Sequence, residues 1–325
     1  MVMLKPLPLV WSVPRIKRLP RRIRMTIAAG YLCNGGIILS ADTQETIQGY
    51  VKTSTEKITV FEGSTYTVAF AGSGNNGVQI DMIVQEICDE LETEEPPSMI
   101  GFKALLHGVL DRLLPQPYFP KDSADVELLL AIRENGQVHL FSVHDNVFAE
   151  MKEFECIGAS VVTGRSIFQR YYRHDHTLIE SYIVAAYVLH HAKRWVDGCG
   201  GKSDIFLLPT DSNTVTRLPS AEIEKLELYF DDLDEALRPL LTACPTEPTN
   251  DDRFKAELQT SNKNVWAARA RFQEFEQVFK RLMDEAGMDG EAMWAATVDS
   301  VDQLFKQPSP ILTPSPQDPS QSRKP

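Results

Sequence analysis

No apolar run in the 325-residue sequence approaches the roughly 18 residues needed to cross a bilayer as a helix, so the chain is read as one with no membrane partner. Cysteine is sparse: Cys33, Cys88, Cys156, Cys199 and Cys244 are far apart, odd in number and never in a CxxC pair. That pattern argues against a disulfide framework and against a zinc module, and it fits a reducing, cytoplasmic setting. No glycine-rich stretch ends in GK[ST], so Gly72-Ser-Gly74 is not a phosphate loop. His174-x-His176 and His190-His191 have no carboxylate at ligand spacing, and there is no internal repeat. Positive charge is also missing from most of the chain. The formal net charge is −12, yet the first 24 residues carry seven basic side chains and no acidic one, leaving the remainder near −19 and arguing against nucleic acid as a partner of the folded part.

That basic leader does not have the order of a secretory signal, in which charge precedes the apolar stretch. Here Arg15, Lys17, Arg18, Arg21, Arg22 and Arg24 follow Leu4–Val13, which is itself broken by Pro6 and Pro8. Residues 1–25 are therefore read as a propeptide, a disordered arm, or sequence upstream of a true start at Met25.

Thr26–Cys33 and Gly36–Asp42 are apolar runs of strand length around Asn34-Gly35, a hairpin signal. A second pair is expected at Lys57–Glu62 and Thr65–Gly72. Ile80, Ile83, Val84, Ile87 and Leu91 keep a helical period, and Met99–Leu114 forms a second amphipathic stretch after Glu94-Glu95-Pro96-Pro97. Strands return at Val126–Arg133, Val138–Val143 and Phe154–Ile157. Helices are expected over Val161–Tyr172 and Leu178–Val196, then strands at Asp204–Leu208 and Thr214–Leu218. Strands, two helices, strands, two helices and strands do not make the βαβ alternation of a parallel sheet. The pattern predicts an α+β fold, a four-layer αββα sandwich of two antiparallel sheets, over residues 26–219. A helical appendage over 220–306 follows, with helices at Ala221–Thr242 and around Phe272, Phe275, Phe279 and Leu282. The tail, 307–325, holds six prolines and is expected to be disordered. The acidic clusters at 89–95 and 231–235 read as solvated helix faces.

The stretch Thr26-Ile-Ala-Ala-Gly-Tyr-Leu-Cys-Asn-Gly-Gly-Ile-Ile-Leu-Ser-Ala-Asp42 resembles the start of catalytic proteasome subunits of the bacterial β type. The resemblance continues through Lys57-Ile-Thr-Val and Val68-Ala-Phe-Ala-Gly72-Ser-Gly74. It extends more weakly to Gly158-Ala159-Ser160 and Asp197-Gly-Cys-Gly-Gly201. It implies an N-terminal-nucleophile hydrolase with Thr26 as nucleophile and Asp42, Lys57, Gly72, Ser160 and Asp197 in the catalytic set. It places Thr55, Thr59, Phe70 and Gly74 near a substrate pocket of medium size and uncharged preference. Neither a metal nor an organic cofactor is implied. A peptide or protein substrate and a homo-oligomer, a ring by analogy, are implied, while an ATP-driven unfoldase is left open. The chain departs from the family where Ala159 follows Gly158, where Cys199 or Gly200 takes the place of a serine, in an Asp42-to-Lys57 spacing one residue short, and in Met25 before Thr26.

The chemical logic of such a set is activation of a weak nucleophile. A threonine hydroxyl needs a base near pH 7, and a free α-amine on the same residue, with a pKa of about 8, can serve. Taken singly, each residue has a plainer role: Thr26 as a strand former, Asp42 as a strand-end turn residue, Lys57 as a solvated charge and Gly72 as a turn. Two further readings stay open, a non-catalytic scaffold subunit and a small-molecule amidase on the same fold. The helices beyond residue 220 exceed what the fold needs and are expected to meet a neighbouring subunit or cover the site.

Overall fold

Alternation of small and large apolar residues along the strands builds the architecture. The computed structural model describes residues 27–47, 51–74, 77–115, 126–212, 214–243, 251–285, 287–295 and 298. Residues 1–25, Thr26 and the 307–325 tail lie outside them.

The first strands, β1 (Ile27–Cys33) and β2 (Gly36–Asp42), form the expected hairpin, with Gly35 at φ 96°, a conformation that suits glycine. After them come β3 (Gln44–Ile47), β4 (Val51–Ser54), β5 (Ile58–Glu62) and β6 (Tyr66–Ser73), then helices α1 (Gly77–Thr93) and α2 (Met99–Leu113). The chain continues through β7 (Glu127–Glu134), β8 (Gln137–His144), β9 (Val147–Met151) and β10 (Phe154–Gly158). Helices α3 (Val161–Tyr171) and α4 (Leu178–Trp195), strands β11 (Ser203–Pro209) and β12 (Thr216–Arg217), and helices α5 (Ser220–Ala243) and α6 (Asp251–Glu285) complete it.

One five-stranded sheet has the order β10-β1-β2-β11-β12 and the other β5-β6-β7-β8-β9, each antiparallel throughout. Ala28, Leu39, Ala41, Ala69, Ala71 and Leu129 fill the layer between them. On β1 the alternate residues Ile27, Ala29 and Tyr31 turn outward to α3 and α4, while on β6 Val68 and Phe70 turn outward to α1 and α2. Three apolar layers thus separate four structural ones, as the period-two patterning predicts. The sheets approach closely at Gly30, where a Cβ would meet Leu140 Cδ1 at 2.7 Å.

Differences from the sequence-based expectation follow from polarity. The hairpin β3–β4 and the edge strand β9 carry exposed polar positions and show little apolar alternation. The expected strand over Thr214–Leu218 shrinks to Thr216–Arg217. The acidic clusters are not merely solvated. Glu95 accepts the N–H groups of Ser64 and Thr65 at 2.5 and 2.6 Å, closing the β5–β6 turn, and Asp231 pairs with Arg194 of α4.

The appendage supplies the largest correction. The apolar face expected to meet another subunit or cover the site is used within the chain. Phe275 and Phe279 are buried against Tyr182 of α4, with ring centroids 5.5 and 6.1 Å apart, and Trp294 closes over Phe279. Helix α4 starts with a capping box between Thr177 and Glu180, and it is covered by α5 and α6 because its outer face, Tyr182, Ala186 and Leu189, is apolar.

His176, beside the start of α4, and His190 and His191 on it bury ring nitrogens that make no hydrogen bond. Asp231 and Asp234 of α5 lie 3.5 and 3.9 Å from Nε2 of His190 and His191, and Arg194 stands beside them. Burial holds all three imidazoles below their ordinary pKa. The unfolded chain therefore binds more protons just below the ordinary imidazole value of about 6.5, and stability falls as pH drops. Urea unfolding at pH 7 and pH 5 should give lower stability at pH 5, with the difference reduced in His190→Asn/His191→Asn. An equal dependence in that variant contradicts the buried, neutral state of this pair.

Candidate active site

At one end of the sandwich the last residue of β2 is an acid with no access to solvent. Asp42 is fully buried; its Oδ1 accepts the Ile27 N–H at 3.1 Å and the Lys57 ammonium at 2.7 Å, and its Oδ2 accepts the Gly200 N–H at 2.9 Å. Lys57 immediately precedes β5, and its side chain is 9% exposed. It also donates to the Gln44 carbonyl at 2.5 Å. Burial pushes the Asp42 carboxyl above its ordinary pKa, and the Lys57 charge, the ammonium hydrogen bond and the two backbone N–H groups oppose that shift.

The local chain explains how a loop reaches this carboxylate. Residues 199–202 lie against the end of β2: Thr43 N–H donates to the Lys202 carbonyl at 2.9 Å, Gln44 N–H to the Gly200 carbonyl at 3.1 Å, and Lys202 N–H to Thr43 Oγ1 at 2.8 Å. Gly201 has φ 69°, and a Cβ there would meet Thr43 Oγ1 at 2.7 Å, so the approach depends on glycine.

Ile58 stands opposite Ala71, and one further step of that register sets Lys57 across from Gly72. Gly72 is half-buried at the end of β6, and a Cβ there would come within 2.1 Å of Ile80 Cγ2 on α1. Ser160 is buried, its hydroxyl 2.9 Å from Cys199 Sγ, and burial raises the Cys199 thiol to about 11. The structure thus joins Asp42, Lys57 and Gly200 directly, and links Ser160 to them through Cys199.

Other expected residues lie further apart. Asp197 is exposed in the turn after α4, and no hydrogen bond or ion pair ties it to another described residue. Thr55 is exposed and donates to Glu45 Oε2 at 3.1 Å, Thr59 is exposed opposite Phe70, and Gly74 is half-buried. Phe70 is buried beneath α1. Thr26 is outside the described residues, and its neighbour Ile27 is the residue bonded to Asp42. Sequence reasoning missed the Gly200 N–H and the Gln44 carbonyl as partners of the pair. The run Gly198-Cys-Gly-Gly201 was the available signal for the first, and nothing in the sequence marked the second. Among the described residues no group of three or more His, Cys, Asp or Glu side chains is placed to hold a metal ion, and no helix is long and apolar enough to cross a membrane.

Replacing Asp42 should expose the cost of burying Lys57 alone. Asp42→Asn is expected to destabilise the fold by about 3 kcal/mol, because the ammonium loses its counter-charge, and Asp42→Asn/Lys57→Met should recover most of the loss. Chemical denaturation of both variants measures this. A double variant no more stable than the single one would show that the pair is not coupled.

Comparison with known proteins follows the same lines. Three solved structures share the fold. Anbu (ancestral beta-subunit) from Yersinia bercovieri is 17% identical with a TM-score of 0.60 over 69% of this chain and all of its own. Anbu from Hyphomicrobium sp. strain MC1 is 17% identical with a TM-score of 0.56 over 69% of this chain and all of its own. The Anbu complex of Pseudomonas aeruginosa, solved as a helical assembly, is 14% identical with a TM-score of 0.60 over 70% of this chain and all of its own. No curated protein matches the sequence. The family model described as proteasome subunit matches residues 25–206, more than half of the sequence, and on that match the chain belongs to the proteasome subunit family.

Proposed function

We propose that the protein is a threonine-type N-terminal-nucleophile hydrolase of peptide or amide bonds, with Thr26 as the first residue of the active form. One observation carries this reading. A single oxygen of the buried Asp42 accepts both the N–H of the residue after Thr26 and the Lys57 ammonium, so a fixed positive charge lies at the start of β1.

In this reading the Thr26 hydroxyl oxygen attacks the substrate carbonyl carbon and its proton passes to the Thr26 α-amine. The Lys57 ammonium favours the ionised oxygen and lowers the pKa of the amine, and Asp42 holds that ammonium in place. The Gly72 N–H meets the oxyanion. Collapse of the tetrahedral intermediate breaks the C–N bond, the leaving amine takes the proton, and water then cleaves the acyl ester to regenerate Thr26. Ser160, with Cys199, and Asp197 support the other side of the nucleophile. Thr55, Thr59 and Gly74 border the substrate pocket, while Phe70, covered by α1, is left out of it.

Self-association is part of the proposal. The Pseudomonas aeruginosa relative forms a helical assembly, and exposed apolar side chains here, among them Val78 and Met82 on α1 and Ile100 on α2, offer contact surface. Cys33, Cys88, Cys156 and Cys199 are free thiols, which supports a reducing, cytoplasmic setting. A non-catalytic scaffold is the second reading, favoured by Ala159 and by Cys199 or Gly200 at positions where the family's catalytic members carry serine.

The two readings separate at Lys57. Removing a preorganised charge from a site of this kind costs about 10²–10³ in rate, so Lys57→Ala should abolish most turnover of a fluorogenic peptide panel. Lys57→Arg should rescue little, because a planar guanidinium does not fit an ammonium's place between a carboxylate and a carbonyl. Wild-type turnover in Lys57→Ala would overturn the proposal.

A further inference from the structure

Ser73, Glu127 and His144 stand opposite one another at the ends of β6, β7 and β8, at the end of the second sheet that carries Gly72. Their neighbours Leu128 and Val143 face α1 and α2. Strand alternation therefore turns this polar row inward, on the same side as Ala71 and Leu129 in the layer between the sheets. Glu127 is 6% exposed, and its Oε2 accepts the Gly158 N–H at 3.0 Å across the gap between the sheets. Its Oε1 lies 3.3 Å from His144 Nδ1.

Gly158 sits at a junction of the first sheet. It pairs with Ile27 of β1, has φ 91°, and leads into Ala159 and Ser160, whose hydroxyl reaches Cys199. The proposed nucleophile and oxyanion donor belong with different sheets: Thr26 immediately precedes β1 of the first in the sequence, and Gly72 belongs to β6 of the second. Asp42–Lys57 ties the sheets together on one side of this gap. Glu127–Gly158 is a second tie between them.

We propose that Glu127 is a positioning residue of the hydrolytic site, acting through the Gly158 N–H to fix the start of β1 against Gly72; this rests on the reading of Thr26 as nucleophile. Its contribution is reach and hydrogen-bond acceptance. The carboxylate neither touches substrate nor transfers a proton.

Two conservative variants separate reach from charge. Glu127→Asp keeps the charge and shortens the arm by one methylene, whereas Glu127→Gln keeps the length and an acceptor oxygen. In the full chain, Glu127→Asp should lower kcat on a fluorogenic peptide about tenfold or more with KM within about threefold, as expected for ångström-scale misplacement of reacting groups, and Glu127→Gln should restore kcat to within about threefold of wild type. Amide hydrogen exchange over residues 154–160 should rise in the Asp variant and stay near wild type in the Gln variant. Wild-type kcat and exchange in Glu127→Asp, or Glu127→Gln as impaired as Glu127→Asp, would overturn the proposal. A wild-type protein that neither turns over peptide nor forms an adduct with a peptide boronate would refute the hydrolase reading and the catalytic part of this proposal. The exchange measurement would then still decide whether Glu127 holds the turn.

Discussion

The organising interaction is the buried ion pair between Asp42, at the end of the first sheet, and Lys57, at the entrance to the second. Stability alone does not explain it. Taking two charges out of water costs several kcal/mol per ion, and an apolar pair of the same volume is often as stable or more so. What the pair provides is a charge held in a known place. Asp42 accepts from three donors, Ile27 N–H, Lys57 and Gly200 N–H, which fix the carboxylate and the ammonium against each other. The glycines at 200 and 201, the loop of residues 199–202 and the register that sets Lys57 across from Gly72 all serve that geometry.

The outer layers give the site its rigidity. Small residues between the sheets, Ala28, Ala41, Ala69 and Ala71, allow close approach, while large ones on the outer faces are covered by helices. Helices α5 and α6 extend this logic beyond the matched family region. They cover Tyr182 and its neighbours on α4, and that helix leads through Val196 into the loop whose Gly200 N–H reaches Asp42. The appendage is thus part of the packing that supports the site, although it contributes no group to the Asp42–Lys57 pair.

Much of this was legible in the sequence because it is periodic. Asn34-Gly35 marked the first hairpin, and the short apolar runs Val68–Gly72 and Leu128–Ile132 marked strands with two buried faces. Asp42 and Lys57 were legible only in combination, since either residue alone is ordinary at the end of a strand. The partner of Glu127 could not be read at all. An acid beside a run of aliphatics looks like a solvated strand end, and what it meets is a backbone N–H 31 residues further on. The full 35 residues of α6 were hidden for a related reason: its first half is largely polar and exposed, so only the stripe ending in Phe279 and Leu282 carried a signal. Hydrophobic patterning reports what is buried by apolar contact, and contacts made through carboxylates and backbone amides leave no such trace.

The central claim is that Thr26 becomes a free N-terminus whose hydroxyl is the reacting group. Intact-mass analysis of protein purified from its native host, before and after treatment with a peptide boronate and followed by peptide mapping, tests this most directly. The account predicts a chain beginning at Thr26 and an adduct confined to that residue. Active material that retains residues 1–25, or an adduct elsewhere, would contradict it.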